Sequence, residues 1–319
     1  MPAEKNQTQV KEFVLLGFGD LHSFRILLFV IFLIVHIMAL TSNALVIILV
    51  ASSRSLHSPM YFFLSQLFLS EILFTSNIVP NMLWLILVGG GKVSVSRCIS
   101  QFYLLAVPTI AQCLLLAAMS IDRHVAICKP LHYFIIMTFQ HQLQIVLTCW
   151  AMGFTFSFPV YFCLTQLKFC ERNSINHFFC DVAPLIQLSC SDTYIVELVT
   201  AVVAFPIILS PFLLIVVTYI LIFETVLKIP STTGRKKALS TCSSHLMVVC
   251  MYYGTMFSVY IIPPRENSVN TNKALSLLYT LVTPLFNPLV YSLRNKDIRT
   301  ALQKARSSHK SLKDIRGEK

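Results

Sequence analysis

Seven stretches of the chain are apolar for about twenty residues or more, and polar residues gather between them. They run at about 24–50, 59–87, 96–128, 142–163, 195–227, 238–262 and 271–293. A bilayer core of about 30 Å is crossed by roughly 20 helical residues. The pattern therefore predicts seven transmembrane helices. The third run meets few charges before Asp122, the fourth carries Trp150, and the fifth carries Pro206 and Pro211. Prolines inside spans are tolerated because neighbouring helices satisfy the freed carbonyls.

The flanks have their own patterns. Residues 1–23 are polar and mixed, with no short apolar core near Met1, so no cleavable signal is expected. The run beginning near Phe24 would act as an uncleaved signal anchor. From Arg294 to Arg306, basic residues alternate with Ile298, Ala301, Leu302 and Ala305. That predicts a short amphipathic helix lying on the membrane surface. The last dozen residues are expected to be disordered. No internal repeat or low-complexity tract is visible. The expected division is an extracellular N-tail at 1–23, a seven-transmembrane domain at 24–293, a membrane-surface helix at 294–306 and a cytoplasmic tail at 307–319.

Composition strengthens the membrane reading. Apolar residues are 55%, charged residues 12%, and mean hydropathy is +0.71. A soluble protein carries about 25% charged residues, and half of that cannot cover a surface in water. The net charge of +11 invites a nucleic-acid reading. There is no aromatic-plus-basic stripe, no zinc spacing and no basic helix free of the membrane, so nucleic acid is excluded as a partner.

Charge orients the bundle instead. The odd-numbered loops and the C-terminal tail hold 16 Lys and Arg, and the opposite side holds 9. Acids sharpen the split to a net of about +11 against about +1. The positive-inside rule then puts the N-terminus outside and the C-terminus in the cytoplasm, with the basic inner face against anionic membrane lipid.

Two features agree with that topology. Asn6-Gln7-Thr8 is a glycosylation sequon, useful only on the lumenal side. Cys98 opens the third span, and Cys170, Cys180 and Cys190 lie in the long loop after the fourth. Four cysteines on the oxidising side suggest two disulfides, among three pairings that spacing leaves open. Cys113, Cys128, Cys149, Cys163, Cys242 and Cys250 lie in or near spans and are expected to pack as small apolar residues.

Longer motifs identify a family. In order they are Leu56-His57-Ser58-Pro59-Met60-Tyr61-Phe62-Phe63-Leu64-Ser65, Met119-Ser120-Ile121-Asp122-Arg123-His124-Val125-Ala126-Ile127-Cys128, Lys237-Ala238-Leu239-Ser240-Thr241-Cys242-Ser243-Ser244-His245-Leu246 and Pro284-Leu285-Phe286-Asn287-Pro288-Leu289-Val290-Tyr291-Ser292-Leu293-Arg294-Asn295. The loop run His177-Phe178-Phe179-Cys180-Asp181 joins them. Over roughly residues 10–305 the chain resembles the odorant receptors, a family of rhodopsin-like G-protein-coupled receptors. The resemblance implies an all-α membrane protein, a seven-transmembrane helix bundle of the rhodopsin-like kind with a short amphipathic C-terminal helix. It also implies a multi-pass plasma-membrane protein of olfactory sensory neuron cilia.

The resemblance assigns roles. Asp122 holds Arg123 at rest, and activation frees the arginine to meet a heterotrimeric G protein through a stimulatory, olfactory-type α subunit. Tyr219, His245, Tyr253, Asn287, Pro288 and Tyr291 match positions that rearrange with it. An isolated arginine there would read simply as snorkelling to headgroups. His124 stands where the family usually has tyrosine. The family pairing of cysteines implies Cys98–Cys180 and Cys170–Cys190, pinning the loop as a lid.

Glu71 is a lone carboxylate deep in the second span, costly and by default functional. Asn43, Gln112 and Asn287 lie at comparable depth. Rhodopsin-like receptors use an acid here to hold a sodium ion or a water cluster. The extra methylene of Glu over the usual Asp alters that geometry, and a neutral, hydrogen-bonded glutamic acid stays open beside it. No other cofactor or metal is expected.

The family's odorant pocket lies between the outer halves of helices three, five, six and seven. Carried over, it comprises Leu105, Ala106, Thr109, Val203, Ala204, Ile207, Met256, Phe257, Tyr260, Leu277 and Thr280. Each alone reads more simply as bundle packing. As a set they form an apolar cavity with few polar handles. None of the eleven is charged, so the expected ligand is a small, neutral, mostly apolar odorant. Thr109, Tyr260 or Thr280 is placed to hydrogen-bond one oxygen of it.

Other classes fit less well. A transporter would favour repeats and charged midplane sites. An enzyme would show a readable motif, and neither His-Glu-x-x-His nor Gly-x-Ser-x-Gly is present. No catalytic residue is expected. A non-olfactory chemosensory rhodopsin-like receptor is the closest alternative, and Tyr253 and the Ser244-His245 run speak against it.

Overall fold

The computed structural model describes residues 10–170, 172–261 and 269–315. Asn6 lies outside the described residues. Among the described residues strand β1 (Glu12–Leu15) comes first and leads to α1 (Arg25–Ser52). Then come α2 (Pro59–Val88), β2 (Gly91–Ser94), α3 (Val95–Cys128), the short α4 (Tyr133–Ile136) and α5 (Phe139–Thr165). The two-residue β3 (Ser174–Ile175) and the short α6 (Val182–Leu188) precede α7 (Tyr194–Leu227) and α8 (Thr232–Ile261). The last span is α9 (Val269–Leu277), a π-turn at Leu278–Val282 and α10 (Thr283–Arg294), followed by α11 (Lys296–Ile315).

Local chemistry sets several boundaries. Pro59 takes the first turn of α2, where a missing N–H costs nothing. Gly89 ends that helix at φ 78°, a conformation glycine adopts freely. Ser94 caps α3 by accepting the Arg97 N–H, and Thr138 caps α5 by accepting the His141 N–H. α11 runs to Ile315, past the Arg306 boundary and into the tail expected to be disordered.

Six helical segments among the described residues are long and apolar enough to cross a bilayer. The seventh long helix, α8, carries a basic and hydroxyl-rich N-terminal half, which dilutes its apolar character. α3 is the hub of the bundle. Of its most apolar window 67% is buried, against 11% for α1. Phe205, Val202 and Ile48 are more than half exposed, as lipid-facing side chains are. α3 and α5 approach closely at Gly153, where a Cβ would lie 2.7 Å from the Val107 carbonyl oxygen.

The unexpected element is a sheet. β1 is the central strand of three, antiparallel to β2 and parallel to β3. Its inward residues, Phe13 and Leu15, are fully buried. The segment expected as an N-terminal tail is thus built into the mouth of the bundle. We call this the sheet face, and the opposite end the Arg123 face.

Candidate functional site

The sheet face is closed by residues distant in sequence. Cys98 at the start of α3 is bonded to Cys180, and Cys170 to Cys190. The Cys180 N–H donates to Gln101 Oε1 at 3.0 Å. Gln101 and Asn77 exchange side-chain-to-backbone bonds at 2.9 and 3.2 Å, tying α2 to α3. Phe13 packs edge-on against Phe169 at 4.9 Å, and Phe18 stacks on Phe178 at 5.1 Å. His177 contacts Ser276 at 3.3 Å on α9. Burial, with the Lys273 charge nearby, pulls His177 down to about 4, so the ring is neutral.

Beneath this lid lies a cavity of about 380 Å³. Its walls include Asn176, His177, Phe179 and Asp181 from the loop, Gln187 and Leu188 from α6, Val259 from α8, and Asn272 and Ser276 from α9. Lys273, 6% exposed, donates from Nζ to Asn176 Oδ1 at 2.7 Å. The expected lining is free of charge, but this outer cavity has an acid in its wall and an ammonium against it.

The eleven expected pocket residues sit deeper. Leu105, Ile207, Met256 and Thr280 are buried, and Ala106, Thr109, Val203, Ala204, Phe257 and Leu277 are half-buried. The side chain of Tyr260 lies outside the described residues. None of the eleven lines the outer cavity. Thr109 Oγ1 donates to the Leu105 carbonyl at 2.8 Å and lies 3.2 Å from the Tyr279 hydroxyl. Thr280 donates to the Ser276 carbonyl at 2.8 Å. Both handles are already engaged. Tyr252, Tyr279 and Cys113 form a buried cluster around Thr109, with Tyr252 OH donating to the Thr109 carbonyl at 2.9 Å and lying 3.2 Å from Cys113 Sγ. Sequence reasoning missed this cluster; the adjacent Tyr252-Tyr253 pair was its one signal.

Midway down, Asn287 Nδ2 donates to Glu71 Oε1. Asn43 Nδ2 donates to the Ala39 carbonyl at 2.8 Å and the Pro284 carbonyl at 2.9 Å. The second bond has a covalent reason. Pro288 lacks the N–H that would bond Pro284 four residues back, and Asn43 takes its place. Glu71 Oε2, Asn43 Oδ1 and Asn287 Oδ1 are buried without a hydrogen-bond partner among the described residues. Gln112 is buried on α3, and no described hydrogen bond joins it to this set.

At the Arg123 face, Arg123 Nε and Nη2 donate to Asp122 Oδ2 at 3.0 and 2.5 Å. Asp122 is fully buried, and its other oxygen accepts the Tyr133 hydroxyl at 2.8 Å. Tyr133 opens the short α4 that follows α3. Burial and the Asp122 charge push its phenol up, which keeps it a donor. Sequence reasoning missed Tyr133, eleven residues from its partner. Tyr219 OH and His245 Nδ1 meet at 2.7 Å between α7 and α8. Tyr253 packs on Phe212 at 5.0 Å and Phe257 at 5.8 Å. His245 Nε2, Tyr253 OH and Tyr291 OH are buried without a partner among the described residues. Tyr61, a further missed residue, lies 2.9 Å from Asn295 Oδ1 and 3.0 Å from Asp297 Oδ2, holding the start of α11.

The arrangement is a bundle with a covalently closed mouth, a polar middle and a paired arginine at the far end. Among the described residues no group of His, Cys, Asp and Glu is placed to hold a metal ion. A family model described as Olfactory receptor matches residues 32–309. The chain is 43% identical to human olfactory receptor 11L1 over 300 residues, covering 94% of this chain and 93% of that one. It is 41% identical to human olfactory receptor 6B1 over 300 residues, covering 94% and 96%. It is 43% identical to human olfactory receptor 6Q1 over 304 residues, again covering 94% and 96%.

Proposed function

The chain belongs to the olfactory receptor family, and from that premise we propose that a small, neutral, mostly apolar odorant bound between α3, α7, α8 and the α9–α10 span drives its G-protein coupling. Membership makes it a multi-pass membrane receptor rather than an enzyme. Our finer reading is a stimulatory, olfactory-type α subunit and a rise in cyclic AMP. It includes an N-terminus outside, a cytoplasmic C-terminus and residence in sensory cilia. Charge asymmetry between the two faces supports the orientation.

One observation carries the reading. The proposed contacts Leu105 and Thr109 and the pair Asp122–Arg123 lie on one helix, α3, the most buried span. α8 repeats the layout along its length, with the proposed contacts Met256 and Phe257 nearer one end and His245 nearer the other. A ligand shifts an equilibrium only by binding one arrangement better than the other. Wedged against Met256 and Phe257, an odorant loosens the Tyr253–Phe212 contact and lets α8 move. That parts His245 from Tyr219 and leaves Arg123 to exchange Asp122 for the G protein. Tyr291 OH, buried without a described hydrogen-bond partner, is a group that a second arrangement can satisfy, at about 1 kcal/mol.

The polar middle supports a sodium ion or a water cluster. Glu71 Oε2, Asn43 Oδ1 and Asn287 Oδ1 are each buried without a described partner, and oxygens are the ligands that hard cations take. A proton on Glu71 Oε2 satisfies one of the three and is the competing reading.

The test is a cell assay. A broad panel of neutral odorants should raise cyclic AMP in cells bearing the receptor at their surface. Arg123→Ala should abolish that rise while surface staining persists. Uptake of the compound with no change in cyclic AMP would reject the proposal in favour of transport, and activity restricted to permanent cations or dicarboxylates would reject the apolar pocket.

A further inference from the structure

Two polar stripes break the apolar runs of neighbouring helices at helical spacing. Asn77 and Asn81 are four residues apart on α2, and Arg97 and Gln101 are four apart on α3. Residues four apart share a helix face, and these two faces meet in a cleft of about 170 Å³. Ser100, Leu104 and Val93 of β2 complete its wall. None of the eleven expected odorant contacts lines it.

The cleft has two tiers, about 6 Å apart by helical rise. The deeper tier is closed. Asn77 Nδ2 donates to the Gln101 carbonyl at 2.9 Å, Gln101 Nε2 donates to the Asn77 carbonyl at 3.2 Å, and Gln101 Oε1 accepts the Cys180 N–H. Through Cys180 this floor is tied to the bridge at Cys98. The outer tier is open. The Arg97 guanidinium, the Asn81 amide and the Ser100 hydroxyl have no side-chain hydrogen bond or ion pair among the described residues. The backbone beneath them is fixed, because the Arg97 N–H bonds Ser94 Oγ at 3.3 Å and the next residue, Cys98, is fully buried in its disulfide.

Free donors around one opening, with no acid in the wall, call for an anionic acceptor. A guanidinium fork matches the paired oxygens of such a group. Glu12 of β1 is not in the wall and lies 3.9 Å from Lys92. The surroundings decide where the anion comes from. Leu104 is 55% exposed, and Trp84, about one turn outward from Asn81, is 45% exposed. Both stand on helices long and apolar enough to cross a bilayer. Apolar side chains exposed there face acyl chains, and a tryptophan near a helix end sits at headgroup level. Arg97, the third residue of α3, is at that level too. The cleft thus opens on the lipid flank of the bundle at the depth of the phosphates. We infer that it binds the phosphodiester of a phospholipid from the adjoining leaflet. The Arg97 fork grips two phosphate oxygens, Asn81 Nδ2 and Ser100 Oγ donate to the others, and the acyl chains run along Leu104. The inference needs only a membrane-spanning bundle and stands apart from the odorant reading.

The probe is dioctanoyl phosphatidylglycerol, added to the full-length receptor purified in a neutral maltoside detergent. Dioctanoylglycerol, which lacks the phosphate, and inorganic phosphate, which lacks the chains, are the matched comparisons. Binding is read as thermal stabilisation and as lipid retained in native mass spectrometry. The phospholipid should stabilise the wild type, and neither comparison should. Arg97→Gln should weaken the phospholipid about tenfold, the size of one lost hydrogen bond to a charged group. Lys92→Gln removes a like charge from the strand beside the cleft but not from its wall, and should leave the affinity as it is. Equal effects of the two substitutions would mean a diffuse positive surface and overturn the inference. So would Arg97→Gln without effect, or no binding of the phospholipid to the wild type. Dioctanoylglycerol that matched the phospholipid would mean a contact with chains alone, and inorganic phosphate that matched it would mean a free-anion site; either result overturns the inference. If Arg97→Gln cannot be purified, Asn81→Leu decides, since it removes one donor and wild-type affinity in that variant would reject the site.

Discussion

At the sheet face, two disulfides, a three-stranded ladder and interlocked phenylalanines join four separate stretches of chain. At the Arg123 face, one ion pair and two phenol contacts hold the helices. The first end has few alternative arrangements with as many bonds. The second is held by fewer cross-links, although buried polar atoms without a described partner occur at both ends, His177 Nδ1 and Arg25 Nε at the first and His245 Nε2 and Tyr291 OH at the second. A bundle cross-linked by disulfides and a sheet at one end and held only by side-chain contacts at the other converts a small change between its helices into movement at the loose end. Stability and signalling therefore respond to mutation at different ends.

The largest expected effect is at the anchored end. Cys98→Ser removes a bridge that closes an 82-residue separation. Loss of a native disulfide costs about 2–5 kcal/mol. We expect surface staining to fall more than tenfold with Cys180→Ser equally affected and the double variant no worse than either. Arg123→Ala should do the opposite, keeping surface level and losing the response. A Cys98→Ser receptor that reaches the surface normally would break the comparison.

A second effect tests the hub. Gly153→Ala puts a methyl 2.7 Å from the Val107 carbonyl oxygen, a backbone atom that cannot swing aside. Overpacking of this kind costs about 1–3 kcal/mol. The melting temperature in detergent should fall, while a Gly254→Ala control, with open space around it, should not destabilise.

Much of this architecture is legible in the chain itself, for a physical reason. Lipid demands long apolar helices, so the spans from Phe24 to Leu293 are written as composition. The strand at Glu12–Leu15 is not, because its partners are Gly91–Ser94 and Ser174–Ile175, and pairing across such separations leaves no local trace. Asn43 is visible as a polar residue at depth; its bond to the Pro284 carbonyl is not. Lys273 counts, in one dimension, as a charge at the edge of the seventh run, and only the fold brings Asn176 to it and buries both its charge and the neutral ring of His177.

That ring makes the anchored end sensitive to acid. His177 is held at about 4 in the folded lid, against 6.5 when free. The undocked lid therefore binds a proton more readily. Docking is unaffected above pH 6.5 and weakens as pH falls toward 4, by about 2 kcal/mol at pH 5. Hydrogen exchange in residues 174–180 should accelerate between pH 7 and 5 after correction for intrinsic rates. His177→Phe should flatten that dependence. Protection that rises on acidification would mean the ring is docked as a cation.

The smallest effect is at the loose end, and it discriminates best. Tyr133→Phe removes only the hydroxyl that donates to Asp122 Oδ1, about 1 kcal/mol. Asp122 keeps Arg123, so the fold and surface level should be unchanged. The carboxylate is then held from one side instead of two, and its grip on Arg123 weakens. Basal cyclic AMP should rise about three- to sixfold, the population shift that 1 kcal/mol gives. The same change in energy at the sheet face, introduced as Phe18→Leu to trim the stack on Phe178, should lower surface level and leave basal signalling alone. If the two substitutions have the same signature, the ends do not differ in kind. If they separate, the less cross-linked end is the one poised to switch, and Tyr133 is one of its catches.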